Sequence, residues 1–573
     1  MNHKLAGSLA AVAVLTLGIA ACSSSSPTSS SGSGQTAGSS EMGKTPLTIV
    51  TTPISPMIQN FNPFVPTSTG YVTHAVNLYN QPLMVFNTQN TSAAPVPELA
   101  TSYAWSNSGQ TLTITTRSGV KWSDGKPFSA SDVAYTFNLI KSNAALNANW
   151  TIPVPNSATA TNSTTTVLTF SQPELSSIFY LLQVPIVPQH IWQSVSDPAT
   201  YADANPVGTG PYVLDRFSST GFTMKINPDY YAKSSLHVPE INFPAYASNA
   251  NLLPPIAGGS IDWGGISIIG VPQNYLSKQG NTTWETSQPY FSDNNVVGLF
   301  FNTTKAPLND AKVRQAINFG INRQQLSTDG ESDNEPPVTS TAGMILPAQQ
   351  SYLPTSLASN LPAASDANQV STILTGDGYA KVGGFWEKNG QKITFSIEDP
   401  VSYTDYYTDA QLIVKQLNAL GFNASVKGDA GTNGPNVWTA DLNNGTFSSA
   451  IHWGAQGLTP YFTYNNWMNY TLSAAIGKTA GADYGRFNDP AAQAALNAYA
   501  SATTPAALNS AIASLANIEN TEVPVAPLLQ GASWAEFSSR NYTGWPTASN
   551  PYMDPGPNIP EILVVVQHLK PVS

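Results

Sequence analysis

Cysteine is nearly missing from this chain: Cys22 stands alone among 573 residues. No intrachain disulfide can form, and no cysteine-based metal site can be built. Charge is scarce too. Only 10% of residues are charged against 41% hydrophobic, and 23 Lys plus Arg face 34 Asp plus Glu for a net charge of -11. No long basic run disturbs that balance, so the electrostatic footprint of a nucleic-acid binder is absent. Solubility falls to neutral polar groups, chiefly Asn, Ser and Thr. The six histidines, His3, His74, His190, His237, His452 and His568, are scattered singly, with no H-x-x-x-H pair to hold zinc. No G-x-S-x-G nucleophile turn and no Gly-rich dinucleotide loop occurs. These absences argue against a hydrolase, a zinc enzyme or a dinucleotide-dependent enzyme, and no catalytic residue, metal or cofactor is expected.

What the chain does contain is length enough for about three or four domain-sized units and one highly legible stretch, Pro97 to Lys141. Leu112, Ile114 and Val120 lie among threonines, which suits a half-buried strand, and Asn107-Ser108-Gly109 supplies the turn before it. Ser123-Asp124-Gly125-Lys126-Pro127 breaks the strand. Ser129 or Ser131 then caps a helix whose Val133, Phe137 and Ile140 share one face. Asp124 is expected to bond turn amides, and Asp132 to sit in the first helical turn, where the helix dipole favours it. Both read as structural carboxylates. One other match is accidental: Gly38 to Thr45 fits the phosphate-loop pattern G-x-x-x-x-G-K-T, yet a Ser/Gly tract precedes it and an expected strand, Leu47 to Thr52, follows. A phosphate cradle needs the reverse, a strand before and a helix after.

The amino terminus carries Lys4, an apolar run from Leu5 to Leu17, and Ile19-Ala20-Ala21-Cys22. The run is too short for a conventional membrane span. The pattern resembles a bacterial lipoprotein signal, which implies thioether lipidation of Cys22, cleavage before it, and residence on the outer face of the cytoplasmic membrane. Ser23 to Ser40 is too poor in apolar residues to fold and reads as a tether.

Several spaced elements resemble the family 5 extracellular solute-binding proteins, the capture subunits of peptide-type ABC importers. They are Leu99-Ala100-Thr101 through Trp105, Thr111 to Arg117, Trp122 to Pro127, and Ala130-Ser131-Asp132-Val133. Val207-Gly208-Thr209-Gly210-Pro211-Tyr212 is a second signature, whose glycines allow positive φ and close backbone approach. The third runs from Pro307 through Val313, Arg314, Ala316 and Ile317 to Ile321-Asn322-Arg323, with Asn322 where the family often has Asp. The resemblance implies an α/β, periplasmic-binding-protein-like two-lobed fold of type II with an extra domain, mixed sheets flanked by helices, and a ligand cleft at a hinge. The implied plan is a signal at 1–21, tether at 22–45, first lobe at 46–82, 206–298 and 533–573, extra domain at 83–205, and second lobe at 299–532. Val72 to Tyr79, Ile373 to Tyr379, Ala410 to Leu420, Ala491 to Tyr499 and Ala507 to Ile518 are expected helices. Phe447 to Trp453 and the closing Ile562 to Leu569 are expected strands.

The resemblance further implies a monomer that traps solute between lobes and delivers it to an ABC permease with separate ATPase subunits. Ligand contact is expected around Ile451-His452-Trp453-Gly454-Ala455-Gln456. In peptide-binding relatives an aspartate three residues after the tryptophan holds the peptide ammonium. Here Gln456 stands there, and a buried ammonium without a carboxylate costs several kcal/mol. An amide instead suits neutral hydroxyls and amides. Trp467, Trp534 and the early-loop Asn62 complete the candidate set of His452, Trp453, Gly454 and Gln456. The tail Gly544-Trp545-Pro546-Thr547 to Tyr552 looks like that of members carrying β-linked oligosaccharides. A short oligopeptide, by family default, and a neutral oligosaccharide therefore both stand as ligands, with a secreted hydrolase or a surface scaffold as the readings from other classes. If Cys22 carries the anchor, Cys22→Ser is expected to move the protein from the membrane fraction to the medium or periplasm; full retention on membranes would refute lipidation.

Overall fold

The computed structural model describes residues 41–147, 152–248, 251–268, 270–431, 434–557 and 560–572, so Cys22 and the tether lie outside the described residues. Three large sheets organise the rest. A seven-stranded mixed sheet runs in the order Asn281–Thr282, Glu536–Ser538, Trp263–Gly264, Leu47–Val50, Glu240–Pro244, Gly221–Ile226, Tyr212–Ser218. Leu47–Val50 pairs in parallel with both of its neighbours, and Leu47 and Ile49 are fully buried. A five-stranded sheet follows the order Asn423–Asp429, Thr394–Pro400, Ser449–Trp453, Ser292–Phe301, Val525–Ser533. The third, four-stranded and antiparallel, is Ala100–Ser106, Thr111–Thr116, Thr165–Thr169, Ser157–Asn162. Each sheet buries its own apolar cluster under flanking helices, as an α/β architecture requires.

The four-stranded unit follows the sequence closely. Thr111–Thr116 alternates, with Leu112 and Ile114 buried, and helix Ala130–Ser142 begins in a capping box between Ser129 and Asp132. Val133, Phe137 and Ile140 pack with Leu112, Ile114 and Leu168. Asp124 Oδ1 accepts the Lys126 amide at 3.2 Å, its Oδ2 meets His190 Nε2 at 2.8 Å, and Gly125 takes φ +83°. Asp132 Oδ1 also accepts the Gln189 amide at 3.0 Å.

Gly208 and Gly210 differ from expectation in one respect. Neither has positive φ; what they supply is close approach, since a Cβ would fall 1.8 Å from the Tyr79 carbonyl oxygen at Gly208 and 2.2 Å from that of Leu78 at Gly210. The Gly210 amide donates to Tyr79 O at 2.8 Å, and the Pro211 carbonyl accepts Asn227 N at 2.8 Å. Arg314, buried, donates to the carbonyls of Leu308, Glu522 and Val523. It therefore ties helix Ala311–Gly320 to the end of helix Pro505–Glu522.

Three local readings change. Val72 to Tyr79 is not one helix but two short ones, Thr69–Val72 and Val76–Tyr79, broken where His74 takes φ +52°. The closing apolar run forms helix Ile562–His568 rather than a strand. Ile562 through Val566 are all buried, and an apolar run with no period fits a buried helix as well as a strand. Strand Ser292–Phe301 spans the border expected at 298/299, the chain entering the five-stranded sheet at Ser292.

Carboxyls are buried beside the five-stranded sheet. Glu335 accepts the Ala532 amide at 2.9 Å and the Tyr406 hydroxyl at 3.3 Å, while neither Glu331 nor Asp399 nor Asp409 has a hydrogen-bond partner among the described residues. Burial and then the neighbouring Asp405 push Glu335 up to about 8 and Asp399 up to about 9. Burial also raises Glu561 and Glu536 to about 8, and lowers His74 and His452 to about 4. A carboxyl raised in the folded state contributes stability that is complete below its unfolded pKa and lost as pH rises through the folded value. A histidine lowered in the folded state contributes stability present above its unfolded pKa and lost as pH falls toward about 4. The raised carboxyls outnumber these histidines. The calorimetric midpoint is accordingly expected to fall as pH rises from about 5 to about 8, and a midpoint that climbs over that range would refute this assignment of protons.

Candidate functional site

The three units meet at a cavity of about 210 Å³. The paired short helices that follow the first strand present Tyr71, His74, Val76 and Asn77; helix Ile178–Gln183, behind the four-stranded sheet, presents Phe179, Tyr180 and Gln183. Gln456, just beyond strand Ser449–Trp453, and Pro560 close the lining. His74 reaches the wall because the left-handed turn at that residue splits the two helices.

Among the described residues, the lining contains no Asp, Glu, Lys or Arg. Burial lowers His74 to about 4, so it stays neutral near pH 7. Asn77 Nδ2 donates weakly to the His74 carbonyl at 3.4 Å, but its Oδ1 is buried with no partner among the described residues, and so is Gln456 Nε2. Both residues line the cavity, and each keeps one buried polar atom unmet among the described residues. An unmet buried polar group costs about 1–3 kcal/mol, which a neutral solute bearing both donors and acceptors would recover.

Of the residues singled out from sequence, Gln456 alone lines this cavity. His452 lies between two rings, 5.1 Å from Trp438 and 4.4 Å from Trp453, and its Nδ1 donates to the Trp453 carbonyl at 2.5 Å. Trp453 ends that stack 41% exposed. Gly454 is a backbone joint, its amide bonded to Val296 O at 2.8 Å with a Cβ position only 3.0 Å from that oxygen. Trp467 is 1% exposed in the core beside the five-stranded sheet, edge-on to Phe300, and is not among the lining residues. Trp534 stands edge-on to Phe291 at 4.7 Å where the chain leaves one sheet for another. Asn62 is fully engaged in bracing a loop: Nδ2 donates to the Pro198 and Tyr201 carbonyls at 2.9 and 2.6 Å, and Oδ1 accepts Phe64 N at 2.9 Å. Trp545 stacks on Phe537 at 4.8 Å inside the core of the seven-stranded sheet. Sequence reasoning missed Tyr71, His74, Asn77 and Gln183; the signal it passed over was amide and imidazole groups interrupting otherwise apolar helical stretches. Among the described residues no group of three His, Cys, Asp or Glu stands where it could hold a metal ion.

Residues 94–474 match the family described as "Bacterial extracellular solute-binding proteins, family 5 Middle". The chain belongs to this family. The matched stretch holds Phe179, Tyr180, Gln183 and Gln456, while the family 5 match leaves the Tyr71 to Asn77 wall and Pro560 outside it. Among curated relatives, the nickel-binding periplasmic protein of Escherichia coli strain K12 is 25% identical over 63% of this chain and 68% of its own length. The oligopeptide-binding protein OppA of Bacillus subtilis strain 168 is 24% identical over 41% of this chain and 46% of its own, so the chain aligns with about half of that relative. A periplasmic oligopeptide-binding protein of Thermotoga maritima shares the fold with a TM-score of 0.83 at 24% identity, over 92% of this chain and 99% of that one. The same Thermotoga protein, solved with mannohexaose bound, superposes with a TM-score of 0.79. The family 5 periplasmic-binding-protein fold, with mixed sheets and flanking helices, is thus the fold of this chain.

If Asn62 is a brace and not a ligand contact, Asn62→Ala is expected to lower unfolding free energy by about 1–3 kcal/mol. Chemical denaturation reads that loss, and solute affinity is expected to stay within about twofold.

Proposed function

We propose that this chain is the extracytoplasmic capture subunit of an ABC importer, anchored through Cys22, that closes on a neutral polar solute and hands it to a permease driven by separate ATPase subunits. The solute class we favour is a neutral oligosaccharide. The observation that carries it is a cavity wall that, among the described residues, has no charged side chain and includes Asn77 and Gln456, whose Oδ1 and Nε2 have no hydrogen-bond partner there. A sugar hydroxyl is donor and acceptor at once and matches both. The mannohexaose held by the Thermotoga maritima protein of the same fold agrees with this choice. The exposed ring of Trp453, three residues before Gln456, offers a flat apolar face of the kind pyranose rings stack on. No transferable group or bond to be broken enters this reading; capture needs only that solute favour the closed population over the open one.

The second reading, a short oligopeptide, is favoured by the names of relatives such as OppA. It must seat a charged amino terminus beside Gln456 with no carboxylate in the described lining. A thermal-shift panel separates the two. Di- to pentapeptides are set against cello-, xylo- and manno-oligosaccharides, because a solute that binds only the folded state raises the midpoint. At one hundred times Kd the gain is about 2.7 kcal/mol. A shift with one sugar series, lost in Gln456→Ala, is the expected result; shifts with peptides alone would overturn the sugar assignment.

A further inference from the structure

Phe462 belongs by sequence to one unit and by packing to another. It is the second residue of helix Tyr461–Met468, whose later members are rooted beside the five-stranded sheet: Tyr464 donates to Ala342 O at 2.7 Å, and Trp467 and Met468 lie in that core, while Leu458 and Tyr461 pack at the edge of the core that takes Phe462. The approach to the helix is fixed there too. Gly454 N donates to Val296 O, Thr459 shares a hydrogen bond with the Tyr499 hydroxyl at 2.7 Å, and Tyr461 stacks flat on Tyr499 at 4.2 Å. Yet the Phe462 ring, 2% exposed, sits in the core of the four-stranded unit. Among the described residues it is the one fully buried member of that core drawn from beyond Trp192.

Its socket is aromatic. Phe179 and Tyr180 meet it edge-on, with ring centroids at 5.1 and 4.8 Å, and Phe86 stands behind Phe179 at 5.6 Å. Such edge-to-face contacts are directional and add to the burial itself. Gly457 permits the arrangement, since a Cβ there would lie 2.3 Å from the Phe462 ring. Phe179 and Tyr180 are cavity wall, and Gln456, next to Gly457, is the wall contributed by the other unit. The loop that leaves strand Ser449–Trp453 and the first turn of the helix after it therefore carry, six residues apart, a cavity amide and the ring that fills the facing unit.

We propose that Phe462 is an aromatic latch: its docking between Phe179 and Tyr180 holds the five-stranded unit against the four-stranded unit and sets the position of the cavity wall. The latch acts before any solute arrives, as a bias toward the closed population. Its role in capture rests on reading the cavity as the capture site; its role in closure does not. Cys22 is the one cysteine in the sequence, so with it replaced spin labels can be placed cleanly. In full-length protein carrying Cys22→Ser, Ser102→Cys on the four-stranded sheet and Asn423→Cys on the five-stranded sheet, both exposed positions, interlabel distances are measured by pulsed electron resonance without solute. The expected result is a short-distance population that Phe462→Ala depletes at least about tenfold, as loss of a buried aromatic contact implies, and that Phe462→Leu retains in part. Tyr180→Ala, cut from the other side of the contact, is expected to act the same way and carries the test should Phe462→Ala not fold. Identical distributions in parent and variants, or no short population in the solute-free parent, would overturn the latch. Because no solute is added, either outcome is independent of whether the sugar assignment holds.

Discussion

The antiparallel ladder between Ser292–Phe301 and Val525–Ser533 is what the rest of the architecture hangs on. It runs from Ser292 opposite Ser533 to Phe300 opposite Val525 and forms one side of the five-stranded sheet. Three residues past Ser533 the chain enters the seven-stranded sheet as Glu536–Ser538. The two large sheets are thus joined by continuous backbone at one end of this ladder, with Phe291 and Trp534 packed edge-on across the passage. Residues placed so can absorb a change of backbone angle while the ladder on one side stays intact, which is how hinge closure works in two-lobed binders. The side chains at the crossing are engaged: Gln89 donates to the Asp293 carbonyl and to Asp554, and Asp554 also bonds Ser533. Any change of angle there must carry these bonds along or exchange them.

Scarcity of charge shapes both the interior and the site. With 10% charged residues, buried carboxyls find few cations: Lys427 pairs with Glu398 at 2.7 Å and with Asp441 at 2.6 Å, but Asp399 and Asp409 have no such partner among the described residues. Keeping a proton is then the cheaper state for a carboxyl out of water. The cavity follows the same logic with amides in place of acids. A wall of Asn77, Gln183 and Gln456 beside a neutral His74 can recognise polar solute without any ion being desolvated.

Legibility in the sequence tracked how local the determining physics was. The Ser129 cap, the place of Asp132 in the first turn of helix Ala130–Ser142 and the Thr111–Thr116 alternation are each set within a few residues, and each was readable. Helix Ile562–His568 was not, because an unbroken apolar run carries no period and its conformation is decided by what surrounds it. The site divides the same way. Gln456 could be found because it sits at a fixed offset from Trp453. Tyr71, His74 and Gln183 could not, since their meeting depends on three units assembling. Asn62 and Trp467 misled for a related reason: an amide and an indole are equally good loop braces and core pieces, and only packing distinguishes those uses.

The stretch from Ile451 to Phe462 shows why site and closure are hard to separate in this chain. Strand Ser449–Trp453 is an inner strand, paired on both sides at Ser449 and Ala450 and held by the Ser292–Phe301 ladder through Trp453. From that fixed end the chain places Trp453 in solvent, Gln456 in the cavity and Phe462 in the neighbouring core. Gly454 and Gly457 are the joints, each set where a side chain would crowd Val296 O or the Phe462 ring. If the cavity is the capture site, Gln456 and the Phe462 ring lie on one short segment between the end of strand Ser449–Trp453 and the start of helix Tyr461–Met468, so a contact made at either is felt at the other without a long pathway.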